Sequence, residues 1–298
     1  MMRLRRLFSI AAVLVALAPS AFATDGILLL AHGTHGAGGH GAAGHEGHAA
    51  PNPWNANVDA VAAALDKRHP TEVAFGMAEA PAIQAAITRL ERRGVTRIAA
   101  VPLFVSSHSP IIGNTRYILG LADSLAQHTS LKSLPRAKMK ARAAMSGALD
   151  AHPFVSEILM DRARQLTADP SETAIVLIAH GPNAEEENRL WLKEMAIHTA
   201  FLRDKGRYAA VEHLTHRNDA SAEIKAKARE EFRARVLQNG KTKKVVVVPL
   251  LMSAGGIEGQ VKDDLAGLSF RFAEPLLPHP NIERWVLAQA TALWKGME

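Results

Sequence analysis

The 298-residue sequence carries 35 basic and 29 acidic residues, a formal charge of +6, and no cysteine. So small an excess of positive charge does not argue for nucleic acid as a partner. The lack of thiols excludes disulfides, thiolate metal sites and cysteine nucleophiles, so a metal here has to be held by histidine, carboxylate, water or the substrate.

Arg3, Arg5 and Arg6 precede an apolar stretch from Leu7 to Ala18, and Ala21 and Ala23 supply small residues for cleavage. This is the pattern of a secretory signal peptide over residues 1–23, with cleavage expected near Ala23. Its apolar core is shorter than the ~20 residues that a membrane span needs. The expected mature chain is therefore periplasmic or secreted, with no stable membrane insertion after leader removal. Losing three of the 35 basic residues and none of the 29 acidic ones leaves it at a formal +3.

Residues 27–48 read ILLLAHGTHGAGGHGAAGHEGH and hold five of the fourteen histidines. Ile27 to Ala31 has the length and unbroken hydrophobicity of a strand buried on both faces, as in a parallel sheet covered by helices. Ligands of such sheets bind beyond the carboxyl ends of the strands, where His32 is the first polar side chain and Gly33 lets the chain turn. Imidazole can take a proton or bind a metal near neutral pH; the plainer alternative is a hydrogen-bonded turn residue. His35, His40, His45 and His48 follow among glycines and alanines, where no helix fixes their geometry. They suggest a flexible tract able to wrap a borderline divalent ion, the alternative being a low-complexity loop that binds metal incidentally.

Apolar spacing at Val58, Val61, Ala62 and Leu65 predicts a helix over 55–68, and residues 72–76 resemble a second strand. Pro81 fits the first turn of a helix running to about Arg93, stopped by Gly94. Arg97 to Val105 is a strongly apolar third strand ending in Ser106-Ser107-His108. A helix over 112–127, a strand around 138–143 and a helix over 153–166 complete the first half. Glu79, after the second strand, either joins the same rim or serves as a helix N-terminal carboxylate.

The order then repeats. AIVLIAHG at residues 174–181 restates ILLLAHG at 27–33, VVVVPLLM at 245–252 restates IAAVPLFV at 98–105, and His279-Pro280 answers His152-Pro153. The first two offsets, 148 and 147 residues, agree within one, which points to two β/α halves, residues 24–170 and 171–298. Aligning the prolines sets Gly255 opposite His108. The second half thus keeps one histidine, His180, lacks the other, and has the short acidic stretch PNAEEENRLW in place of the histidine run. Its site is expected to be degenerate.

A His32, Glu79, His108 set at one sheet edge suits metal binding and proton transfer. Other chemistries fit poorly. Ser146 lacks the flanking glycines of a nucleophile elbow, no phosphate-cradling glycine loop occurs, and Ala31 stands where a phosphohistidine phosphatase would place arginine.

Taken in order, LLLAHGT (28–34), AFGMAEAPAIQAAI (74–87) and VPLFVSSHS (101–109) resemble the sirohydrochlorin cobaltochelatase and ferrochelatase family, the class II chelatases. With the weaker second copy the resemblance spans nearly the whole mature chain. It implies an α/β fold of two similar halves, each a parallel four-stranded sheet flanked by helices, with a tetrapyrrole cleft between them. It matches His32 and His108 to the family's active-site histidines. It also implies a divalent metal, Co²⁺, Ni²⁺ or Fe²⁺, as substrate beside a sirohydrochlorin-type tetrapyrrole, with no tightly bound cofactor. The alternative functions are a periplasmic metal-binding or metal-delivery protein without turnover and, third, an unrelated hydrolase.

Overall fold

The computed structural model describes residues 23–33 and 53–298. The loop histidines His35, His40, His45 and His48 lie outside the described residues, as does all of the expected leader but Ala23. Among the described residues, no helix is long and apolar enough to cross a membrane.

The first half runs β1 (Asp25–Ala31), α1 (Pro53–Asp66), β2 (Thr71–Phe75), α2 (Ala80–Arg92), β3 (Arg97–Leu103), α3 (Pro110–Ile118), β4 (Arg142–Met145) and α4 (Pro153–Gln165). The second runs β5 (Thr173–Ala179), α5 (Glu185–Gly206), β6 (Ala210–Thr215), α6 (Ala222–Gly240), β7 (Lys244–Leu250), α7 (Gly256–Asp264), β8 (Arg271–Phe272) and α8 (Pro280–Lys295). All pairings are parallel, and the strand orders, β2-β1-β3-β4 and β6-β5-β7-β8, are the same order written twice. Leu30 pairs with Pro102, and Ile178 with Pro249. The repeated prolines therefore hold equivalent rungs, and the two AHG strands occupy equivalent places.

Helices on both faces explain why β1 and β5 are unbroken apolar runs, since every residue from Ile27 to Ala31 and from Thr173 to Ala179 is buried. The repeated His-Pro pairs have a local cause. His152 Nδ1 accepts from the Phe154 N–H (3.2 Å) and His279 Nδ1 from the Asn281 N–H (3.2 Å), so each imidazole caps a helix whose first turn opens with proline. Partial burial lowers both pKa values, in keeping with unprotonated acceptor nitrogens.

The helix expected over 112–127 is shorter. It stops at Ile118 because Gly120 takes a left-handed φ of 73°, with the Leu121 N–H donating to Arg116 O (2.8 Å) and the Gly120 N–H to Tyr117 O (3.0 Å), a Schellman closure. The segment beyond it is tied down by Arg136, which lies 4.4 Å over the Tyr117 ring and donates to Ala122 O (2.9 Å). The fourth strand accordingly begins at Arg142, four residues later than expected. The acidic stretch after His180, expected as a loop, mostly opens α5, where Glu185, Glu186 and Glu187 meet the positive end of the helix dipole.

The halves are interlocked. The last helix of the chain, α8, packs on β3 and β4 of the first sheet and on α1, while α4 packs against β7 of the second sheet and against α5 and α8. One apolar cluster joins Ile27, Leu29 and Val101 to Ile175, Leu177 and Val248 through Leu159, Trp285 and Val286. Arg142 donates to Met297 O (2.8 Å), and buried Arg162 donates to Pro275 O (2.9 Å) and Pro278 O (2.7 Å), closing both seams with charged hydrogen bonds. Trp285 sits in this shared core at 1% exposure. Trp285→Ala is expected to cost about 3–5 kcal/mol. Urea denaturation followed by far-UV circular dichroism should show wild type and variant each unfolding in one transition, whereas two separable transitions would mean that the halves are independent.

Candidate functional site

His32 leaves the carboxyl end of β1, and His108 follows β3 by five residues; Ala31 pairs with Leu103, so both histidines belong to the same edge of neighbouring strands. His32 is exposed on one side, and desolvation of the rest of its ring lowers its pKa, which keeps the imidazole neutral near pH 7. A side chain at Gly33 would meet Phe75 Cδ1 at 2.5 Å and Asn55 Oδ1 at 2.6 Å, so a larger residue there would have to displace both side chains.

Glu79 is the residue before α2, yet its side chain makes no capping hydrogen bond. It folds back over Gly76, where an added Cβ would lie 2.2 Å from Glu79 Cγ, and Gly76 itself takes φ +127°. The Gly76 N–H donates to Ala31 O (2.9 Å), which sets this carboxylate stem beside the end of β1. Gly76→Ala is expected to lose about 1–3 kcal/mol through backbone strain and to displace Glu79, read by thermal denaturation and by the crystal structure of the variant.

His108 is held from the other half. Its N–H donates to Ser106 Oγ (3.1 Å), its carbonyl accepts from Trp191 Nε1 (2.9 Å), and its Nε2 lies 3.3 Å from Glu194 Oε1. The Ser106 hydroxyl donates to Glu194 Oε2 (2.8 Å). Burial raises the Glu194 pKa, with the nearby Asp150 charge adding to the effect, while the Ser106 hydrogen bond and the charge of His108 oppose it. Asp150 accepts from the Ser107 N–H (2.5 Å) and hydroxyl (2.7 Å), fixing the loop from below. His198, wholly buried on α5, shares a 2.7 Å contact with Ser156 Oγ and a 3.1 Å contact with Asp150 O. Two of the three residues that hold His108 directly, Trp191 and Glu194, therefore stand on a helix of the second half.

Sequence reading did not find Glu194, Trp191, Asp150 or His198. A signal existed: Trp191, Met195, His198 and Leu202 are the buried stripe of α5, and a histidine inside such a stripe, with Glu194 beside it, marks a polar seam.

The second sheet carries its own pair. Gly255 has open space around it and no histidine stands opposite His108, as the alignment implies. His180, however, has Asp219 Oδ2 3.1 Å from its Nε2. Asp219 lies four residues beyond Thr215, the rung partner of Ala179, just as Glu79 lies four beyond Phe75, the partner of Ala31. Behind it, His216 Nε2 contacts Asp264 Oδ2 at 2.6 Å. The His180 pKa is lowered first by burial, then by the charge of His216 and that of His32, while Asp219 opposes. His32 and His180 are thus within electrostatic reach of each other. Asn57 of α1 donates to Ser253 beyond β7 (3.0 Å) across the boundary between the halves.

Among the described residues, no three histidine, aspartate or glutamate side chains converge as a metal-ligand set. His32, Glu79 and His108 line one edge and do not form a closed cage. The arrangement can accept protons through neutral imidazoles and offer an ion incomplete coordination.

This fold, two like parallel four-stranded sheets flanked by helices, is that of the chelatases. The sirohydrochlorin chelatase SirB from Bacillus subtilis subspecies spizizenii in complex with cobalt superposes at a TM-score of 0.60 with 13% identity, over 91% of this chain and 95% of that one. SirB from Bacillus subtilis with Fe3+ gives 0.63 and 14%, over 91% and 95%. CbiX, the terminal enzyme for biosynthesis of siroheme in denitrifying bacteria, gives 0.55 and 16%, over 90% and 98%. No curated protein matches the sequence significantly. Residues 47–166 match the CbiX family model.

Burial forces the His198 pKa down to about 4, so its neutral form is built into the fold. The unfolded chain binds this proton more tightly, so the stability His198 supports is complete above pH 6.5 and is lost as pH falls through about 4, by about 3 kcal/mol in all. Urea titrations at several pH values should give a shallower loss between pH 6.5 and 4 for His198→Gln than for wild type. Equal slopes would mean that another group carries the acid sensitivity.

Proposed function

We propose that the chain inserts a divalent metal, Co²⁺, Ni²⁺ or Fe²⁺, into a sirohydrochlorin-type tetrapyrrole. The observation that carries this reading is the pair of histidines at one strand edge, His32 and His108, in a chelatase fold. The CbiX match spans His108 and Glu79, and solved neighbours of the same fold hold cobalt and Fe3+.

Metallation replaces two pyrrole N–H bonds by metal–nitrogen bonds and releases two protons, so the reaction needs bases that are neutral at working pH and an ion held loosely enough to be handed over. The lowered His32 pKa suits the first need, and incomplete coordination by His32 and His108 among the described residues suits the second. Metal and tetrapyrrole are both substrates, and no tightly bound cofactor is invoked. The catalytic set is His32, His108 and Glu79, with His32 and His108 guiding the metal. His35, His40, His45 and His48 act as a metal-gathering tract, because a glycine-rich segment does not hold a ligand in the fixed geometry that catalysis needs. The working arrangement is a cleaved leader at residues 1–23, a site-bearing half at 24–170 and a supporting half at 171–298, outside the cytosol.

The test is anaerobic incubation of the mature protein with sirohydrochlorin and each metal, followed by its visible spectrum. Catalytic metallation supports the proposal; stoichiometric metal uptake without turnover would instead make this a metal-binding or delivery protein. His32→Ala is expected to lower turnover by about 10²–10⁴-fold while most bound metal is retained. Replacing the four loop histidines with alanine should raise the metal concentration for half-maximal rate and lower the ions bound, leaving the rate at saturating metal largely intact. Loss of that saturating rate would put the tract inside the active site.

A further inference from the structure

A base that accepts a pyrrole proton has to present a lone pair, and a neutral imidazole carries its lone pair on only one of two nitrogens, which exchange in a free ring. At His108 the choice is biased. The backbone on both sides of the side chain is pinned by Ser106 and Trp191, so the remaining freedom of the residue is that of the ring. Glu194 Oε1 lies 3.3 Å from Nε2, and Glu194 Oε2 is occupied by the Ser106 hydroxyl, so the carboxylate cannot turn away without giving up that bond. A lone pair on Nε2 would lie close to the lone pairs of Glu194, whereas an Nε2–H places its positive end in charge contact with the Glu194 carboxylate. Glu187, on the same helix, acts on His108 through its charge alone.

We infer that Glu194, supplied by the second half, is a positioning residue for His108: it holds the Nε2–H tautomer and leaves the Nδ1 lone pair for the cleft. The inference rests on the proposed chelatase reading for its role in turnover, but the tautomer itself does not depend on it. In that reaction the pyrrole N–H bond breaks as the nitrogen–metal bond forms, the proton goes to His108 Nδ1, and the resulting imidazolium is stabilised through Nε2–H by the Glu194 carboxylate before water removes the proton. It also gives the second half a part in a reaction whose histidines lie in the first.

Nitrogen-15 NMR of the metal-free protein at pH 8 reads the tautomer directly. Wild type should show His108 as a single Nε2–H form and Glu194→Ala a mixture, while Glu187→Gln should leave the single form intact. In anaerobic metallation assays Glu194→Ala should lower kcat about 10–100-fold with KM for metal and tetrapyrrole within about twofold. Glu194→Gln, which keeps an acceptor oxygen, should restore most of both readouts. A protonated Nδ1 in wild type, or an unchanged kcat in Glu194→Ala of an active enzyme, would overturn the inference. Wild type with the Nε2–H form but no turnover would defeat the chelatase reading and leave the positioning of His108 standing.

Discussion

Everything at the candidate site depends on the exchange of terminal helices. A parallel sheet buries both faces, so each half needs cover that its own helices do not fully supply; α8 lies on the first sheet and α4 against the second. Neither sheet can then shift without exposing a core that includes Leu29 and Leu177 in one cluster. The residues that follow β1, β3 and β5 are held near one another as a result: His32 acts on His180 through its charge, and His108 touches Glu194 and Trp191 of α5.

This constraint makes it possible to bury polar groups at the seam. His198, Ser156 and Asp150 link α5, α4 and the loop before α4, and each hydrogen bond crosses from one half to the other or closes the loop under Ser107. Polar groups at such a depth are costly unless every one finds a partner, and breaking one leaves the others unsatisfied. The seam therefore fixes the relative setting of the halves more sharply than apolar contact alone would, since apolar contact is not directional.

Much of the fold was legible in the sequence because its signals are strong and periodic. Continuous apolar runs at Ile27 to Ala31 and Ala174 to Ala179 can only be doubly covered strands in a chain of this kind, and their repetition with Pro102 and Pro249 fixed the two-fold plan. The shortened α3 was missed because apolar spacing was followed through Gly120, whose left-handed turn ends the helix. The candidate site divides in the same way. His32, His108 and Glu79 sit next to strand ends, where local sequence announces them. Trp191, Glu194 and His198 sit in mid-helix, and only the packing of α5 across the halves brings them to the loop after β3.

The repeat itself explains why the halves diverge where they do. A strand-end imidazole with a carboxylate four residues past the neighbouring strand occurs in both, as His32 with Glu79 and His180 with Asp219, because β1/β2 and β5/β6 share one register. The third position does not recur: His108 has a glycine opposite it, and the helix facing His108 carries Trp191 and Glu194 in the second half. The second half thus keeps two members of the set, and its long helix supplies the residues that touch the third member in its neighbour, so the surroundings of His108 are built from both halves.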